Sequence, residues 1–172
     1  IDMEIAELRM YQEQAKAIVN ETKAKQLLVA LEKTFHKNEM LGAPKKALIF
    51  TESRRTQEYL KYFLQNNGYQ GKVVCFNGSN NDDDSKSIYR KWLSLYAGSK
   101  RISGRTIIDR KQALVDHFRT DAEIMIATES GAEGINLQFC SLLVNYDMPW
   151  NPQRIEQRIG RCHRYGQKFD VV

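Results

Sequence analysis

Four short apolar runs, each followed by a stretch of different character, constrain this chain more than any other feature. Ala47-Leu48-Ile49-Phe50, Val73 to Phe76, Ile124 to Ala127 and Leu142 to Tyr146 have little or no polar interruption. That pattern suits strands covered on both faces, as in a parallel sheet. Between them Ser53 can cap a helix reaching Asn67, with Tyr59, Leu60, Phe63 and Leu64 on its apolar side and Gly68 closing it. Lys111 to Arg119 reads as a second helix with Ala113, Leu114 and Phe118 inward. A last helix starts at Asn151-Pro152, an acceptor side chain at the N-cap followed by proline at the first helical position. The alternation predicts an α/β fold of three layers, a parallel sheet with helices on both faces.

Two segments stand outside that rhythm. From Asp2 to about Asn38, Ile5, Leu8, Ala15, Ile18, Val19, Leu27, Leu28, Leu31 and Phe35 recur at steps of three and four, and Gly42 and Pro44 end the helical stretch. Residues 1–44 are therefore expected to form an N-terminal helical extension and residues 45–172 the main lobe. Between Asn80 and Asp109 the connection far exceeds the ~2–6 residues usual for a strand-to-helix loop, so an insertion is expected at about 82–108. It opens with Asp82-Asp83-Asp84 and turns basic through Lys86, Arg90, Lys91, Lys100, Arg101 and Arg105. Ile88, Trp92 and Leu95 make a short helical stripe, and Gly98 to Arg105 reads as a mobile loop. Tyr89, Trp92 and Tyr96 interleaved with cations suit a grip on DNA. The same residues suit a solvated helix packed by Ile88 and Trp92, and the sequence leaves both readings open.

Composition narrows the class. A length of 172 residues fits one domain with an appendage, and 26 Lys and Arg against 21 Asp and Glu give a net charge of +5, which permits a polyanionic partner without requiring one. No apolar run is long enough for a transmembrane helix, and Ile1 to Arg9 lacks a secretory profile. Cys75, Cys140 and Cys162 show no CxxC spacing, which argues against a zinc site or disulfide framework and for a reducing, intracellular compartment, cytoplasm, nucleoid or nucleus. A start at Ile1 and a stop at Val172 suggest a segment of a longer protein.

Ligands in parallel α/β folds sit beyond the carboxyl ends of the strands. Those ends here are Thr51-Glu52-Ser53, Asn77-Gly78-Ser79, Thr128-Glu129-Ser130 and Asp147-Met148-Pro149, all polar and turn-prone. Beside them lies the most informative segment, Asn151 to Arg164. Arg154, Arg158, Arg161 and Arg164 follow at steps of four, three and three, so they share roughly one helix face. The only acid, Glu156, stands at neither three nor four positions from any of them. Stacked like charges cost a few tenths of a kcal/mol per pair, so something outside the helix must offset them. Acids elsewhere in the fold or bound phosphates would do so. Gly160, which leaves room beside an anion, and the α/β scaffold favour phosphates. His163 reads as a packing or polar residue rather than a metal ligand, and Trp150 as core rather than a base-stacking platform.

Gln157-Arg158-Ile159-Gly160-Arg161-Cys162-His163-Arg164, continuing Tyr165-Gly166-Gln167, resembles motif VI of superfamily-two helicases. The upstream Asp147-Met148-Pro149-Trp150-Asn151-Pro152-Gln153 and the trailing Gly-Gln place the likeness in the Swi/Snf-type, DNA-translocating branch. Ile126 to Leu137 resembles motif V, and Leu48 to Ser53 resembles motif IV. The resemblance implies the second, C-terminal RecA-like lobe of an ATP-driven motor. It implies that ATP and magnesium are bound mainly by an N-terminal RecA-like lobe of the same protein. This chain has no GxxxxGK[ST] loop, so alone it is expected not to hydrolyse ATP.

Residue by residue, the resemblance implies arginine fingers at Arg161 and Arg164, with Gln157 and Arg158 orienting them and Gly134 and Asn136 near the ribose. It implies nucleic-acid contacts, with double-stranded DNA, at Ser53, Arg54, Asn77, Gly78, Thr128 and Ser130. The family usually has an arginine seven residues before Phe118. Lys111 holds that place here, with Arg110 adjacent. A strand-separating DNA or RNA helicase lobe and a degenerate, purely binding lobe are the rival readings. A dinucleotide-binding enzyme fails for want of a GxGxxG loop after the first strand.

Overall fold

The computed structural model describes residues 5, 7, 10, 22–132, 134–163 and 169. All four expected strands form: β1 Ala47–Thr51, β2 Val73–Phe76, β3 Ile124–Thr128 and β4 Leu142–Asn145. They make one sheet in the order β2-β3-β1-β4, with every pairing parallel and Ala47 in register with both Ile124 and Leu142. β1 and β3 are central and buried along their whole length. Their uninterrupted apolar runs follow from being covered on both faces.

The two-residue period of the strands divides the interior. Leu48, Phe50, Met125 and Ala127 enter one core, while Ala47, Ile49, Ile124 and Ile126 enter the other. Around them lie α1 Thr22–Met40, α2 Arg54–Leu64, α3 Asp83–Leu95, α4 Thr106–Thr120, the single turn α5 Glu129–Ala132 and α6 Pro152–Cys162. The first core is closed by Leu114, Val115 and Phe118 of α4 and by Cys162 of α6. The second is closed by Leu60, Phe63 and Leu64 of α2 and by Ala24, Leu27, Leu31 and Phe35 of α1. Each large apolar side chain fully buried there contributes roughly 1.5–3 kcal/mol. The expected three layers are present, and among the described residues no helix is long and apolar enough to cross a membrane.

The N-terminal helical part is present from Thr22 onward, and Ala24, Leu27, Leu31 and Phe35 share a core with the sheet. Two local expectations differ from what forms. Leu8, Ala15, Ile18 and Val19 lie outside the described residues, and Ile5 is helical but exposed. α2 stops at Leu64 and passes through a wide turn, Gln65–Tyr69, where Gly68 takes φ +97°. The left-handed backbone there favours glycine.

The 82–108 stretch is packed, not loose. Asp82 caps α3 through Ser85 N at 2.9 Å. Trp92 is buried and donates its indole N–H to Asp116 Oδ2 at 2.8 Å, where Arg101 Nη2 also binds at 3.2 Å while resting over the Tyr96 ring. The loop expected to be mobile is clamped by Asp109, which accepts from Ser103 N, Ser103 Oγ and Gly104 N at 2.7–3.1 Å. Of the two open readings, the packed helix describes Ile88 and Trp92, which lie in or against the core. Leu95, the third residue of the stripe, faces outward.

Candidate nucleotide and nucleic-acid site

The carboxyl ends of the strands are organised by buried amides. Gln57 of α2 sends Nε2 to the carbonyls of Phe76 and Ile126, at 3.1 and 2.6 Å, and accepts at Oε1 from Asn77 Nδ2 at 3.2 Å. It thereby ties the ends of β2 and β3 together. Asn77 folds the loop after β2: its Oδ1 accepts from Ser79 N, Ser79 Oγ and Asn80 N, and its own N–H donates to Asn80 Oδ1 at 2.7 Å. Only 3% exposed, the Asn77 side chain shapes that loop from within. Ser53 is likewise engaged as the cap of α2, accepting from Thr56 N at 3.0 Å.

Gly78 and Ser130 are exposed and adjacent; a Cβ on Gly78 would lie 3.2 Å from Ser130 Oγ. Arg54 is exposed on the first turn of α2. Thr128 is 5% exposed, and its buried hydroxyl has no hydrogen-bond partner among the described residues. Lys111 stands elsewhere, in a groove of about 420 Å³ shared with Gln112, Arg119, Gly134 and Asn136. The residue expected to touch nucleic acid and the two expected near the ribose thus line one cleft.

Asp147 joins three elements at the same edge. Its Oδ2 accepts from Thr51 Oγ1 at 2.6 Å and Glu52 N at 3.1 Å, and its Oδ1 from Lys23 Nζ of α1 at 3.2 Å. Partial burial pushes its carboxyl up, but those donors outweigh burial and hold it below the ordinary aspartate value.

α6 begins as expected, with Asn151 Oδ1 accepting from Gln153 N at 3.0 Å and Pro152 in the first turn. The arginine row does not stay together. Arg158 is 1% exposed, with Nε and Nη2 on Glu129 Oε2 at 2.9 and 2.6 Å and Nη1 on Asn145 Oδ1 at 2.7 Å and the Asp147 carbonyl at 3.0 Å. Its guanidinium lies 4.8 Å from the Phe50 ring centre. The expectation that Arg158 shares a phosphate-facing surface is corrected: its own fold neutralises it. Glu129 was not legible as a partner because it lies 29 residues away in sequence.

Arg154 and Arg161 remain outside that network, Arg154 exposed and Arg161 half-buried. Neither side chain forms a hydrogen bond or ion pair with the described residues. The Arg161 carbonyl accepts from Leu137 N at 3.0 Å, which joins the end of α6 to the segment carrying Gly134 and Asn136. Gly160 has open space where a Cβ would stand. Gln157 is exposed on α6, and Arg164 lies outside the described residues. Trp150, expected in the core, is 100% exposed. The turn from β4 to α6 holds it outside both cores, beside an exposed Met148. His163 is exposed, and no group of metal-binding side chains forms among the described residues.

Residues 84–166 match the helicase conserved C-terminal domain family. Over 126 residues, 73% of this chain, it is 46% identical to a Bacillus subtilis protein described as an uncharacterized ATP-dependent helicase, YqhH. It is 33% identical over 129 residues to helicase SWR1 of Saccharomyces cerevisiae. The chain belongs to the Swi/Snf-type superfamily-two helicases, as their C-terminal lobe. This helicase lobe spans 18% of the Bacillus relative and 7% of the yeast one. In fold, the lobe resembles the C-terminal part of the Fun30 ATPase domain, with a TM-score of 0.59 at 24% identity, over 86% of this chain and 38% of that one. It also resembles the E. coli DEAD-box protein SrmB, with a TM-score of 0.55 at 20% identity, over 88% of this chain and 69% of that one.

Proposed function

We propose that this helicase lobe is the C-terminal half of an ATP-driven translocase acting on double-stranded DNA, and that it completes its ATP site only when an N-terminal lobe closes on it. The contrast between Arg158 and Arg161 carries the reading. One turn of α6 holds a guanidinium saturated by the fold, and the next presents one with no carboxylate among the described residues. A half-buried arginine with no anion among the described residues suits a phosphoryl group brought by another body.

ATP would meet Arg161 and Arg164 as fingers, Gln157 beside them, and Gly134 and Asn136 at the ribose. Gly134, at φ +78° with open space at its Cβ position, permits close approach of a ligand to its backbone. The triphosphate's magnesium would be held by the N-terminal lobe. When the lobes close, Arg161 stabilises charge on the transferred phosphoryl group, a contribution that reaches ~10³–10⁵ in rate for such arginines.

Gly78, Ser130, Arg54 and Lys111 would hold backbone phosphates without reading sequence. Thr128, whose buried hydroxyl has no partner among the described residues, would take a ligand only if its loop opened. Trp150, fully exposed at the same edge, adds a stacking surface.

The test uses a chain carrying both lobes. Arg161→Ala and Arg164→Ala are each expected to lower ATP turnover by at least ~100-fold, with DNA affinity within about threefold of wild type. Near-normal hydrolysis by both variants would refute the finger assignment. Faster turnover with single-stranded RNA than with duplex DNA would move the lobe to the RNA-helicase reading.

A further inference from the structure

We infer that Glu129 is a positioning residue that couples the nucleic-acid-facing loop after β3 to the arginine helix. The inference rests on the motor reading above and names a part of it that the sequence motifs did not supply. Glu129 lies between Thr128 and Ser130 and starts α5, the single turn that follows β3. Its Oε2 takes two N–H groups of Arg158, at 2.9 and 2.6 Å. The other groups on that guanidinium, Asn145 Oδ1 and the Asp147 carbonyl, are uncharged. Glu129 is thus the one counter-charge among the described residues for an arginine only 1% exposed. A buried charge of that kind holds tightly to its partner, because separation would leave it unpaired in a low dielectric.

Both ends of the pair are anchored to parts that matter. On the loop side, Gly131 presses on the Asn77 backbone, where a Cβ would come within 2.6 Å of Asn77 Cα. The loops after β2 and β3 therefore move together, and they carry the exposed Gly78 and Ser130. On the helix side, Arg158 precedes Arg161 by three residues, about 4.5 Å of helix rise, and the Arg161 carbonyl is bound by Leu137 N. A phosphate that shifts the Gly78–Ser130 surface pulls on Glu129, and Glu129 pulls on the turn that aims Arg161. Asn145 and Asp147, fixed on β4 and the turn after it, give Arg158 a pivot rather than a second tether.

The experiment uses the two-lobed protein with Glu129→Gln, which keeps the size and one acceptor oxygen but removes the charge, alongside Glu129→Asp. In Glu129→Gln, DNA-stimulated kcat is expected to fall by about 10–100-fold, while the KM for ATP and the Kd for duplex DNA stay within about threefold. Glu129→Asp is expected to recover part of the loss. Hydrogen exchange supplies the readout that a purely structural role would not move. In wild type, adding DNA should alter protection of both 128–132 and 154–162; in Glu129→Gln the change at 128–132 should remain and that at 154–162 should vanish. A wild-type kcat in Glu129→Gln overturns the coupling, as does a DNA Kd that weakens in step with kcat or a retained response at 154–162. If wild-type protein itself shows no DNA-stimulated hydrolysis, it is the motor reading that fails.

Discussion

Gly131 sits so close to Asn77 that a Cβ added to it would fall 2.6 Å from Asn77 Cα and 2.8 Å from the Phe76 carbonyl oxygen. Both obstacles are backbone, so neither can yield by a rotamer change. Gly131→Ala should therefore push the loops after β2 and β3 apart and cost about 3 kcal/mol. Urea unfolding of wild type and variant checks the value. A loss below about 0.5 kcal/mol would show that the two loops can separate freely.

Gln57 fills a position that only a neutral amide satisfies, with its NH₂ facing two carbonyls and its oxygen facing Asn77 Nδ2. Gln57→Glu keeps the shape but sets an acceptor against the carbonyls of Phe76 and Ile126. At pH 7 the expected loss is about 3 kcal/mol. Burial and the facing carbonyls would raise the new carboxyl's folded pKa, so the penalty grows above its unfolded value and recovers below about pH 4.3. Equal losses at pH 7 and pH 4 would contradict this arrangement.

Asp147 carries a pH signature of opposite sign. Its folded pKa is lowered, so its contribution is present above the unfolded value of about 3.9 and is lost as pH falls through the folded value. Asp147→Asn should cost about 1–2 kcal/mol at neutral pH, and the difference from wild type should close in acid. Denaturation curves at pH 7 and below pH 3 measure both limits.

The thiols should be inert in the native state. Burial pushes Cys75 up to about 12, and Cys140 is raised well above the ordinary range by burial and by its neighbour Cys162. Cys140 and Cys162 are also 0% exposed. Ellman's reagent at pH 8 should find no fast-reacting thiol until denaturant is added. A thiol titrating within minutes in the folded protein would show that this packing opens readily.

The strands were legible because a parallel sheet covered on both faces requires unbroken apolar runs, and β2 matches its run residue for residue. The start of α6 was legible for an equally local reason, an asparagine cap followed by proline. Leu27, Leu31 and Phe35 announced a buried stripe, but not that its cover would be the sheet itself. Trp150 was misjudged because an aromatic side chain tells nothing of the turn that carries it outward. The loop at 98–105 looked mobile because Asp109, which clamps it, lies beyond the loop it folds back on.

For the site, the sequence determined which residue types crowd the carboxyl ends of the strands, since the motifs and their order are written in the chain. It could not determine which of the stacked arginines is free. Helical periodicity places Arg154, Arg158 and Arg161 within one arc, and their local neighbours offer no acid to any of them. The choice fell to tertiary packing: α6 turns Arg158 onto Phe50 of β1 and Glu129 at the start of α5, partners brought from elsewhere in the chain, and leaves Arg161 outside. Periodicity is a local property that any segment carries with it. Charge neutralisation depends on distance in space, and that distance exists only once the sheet has formed.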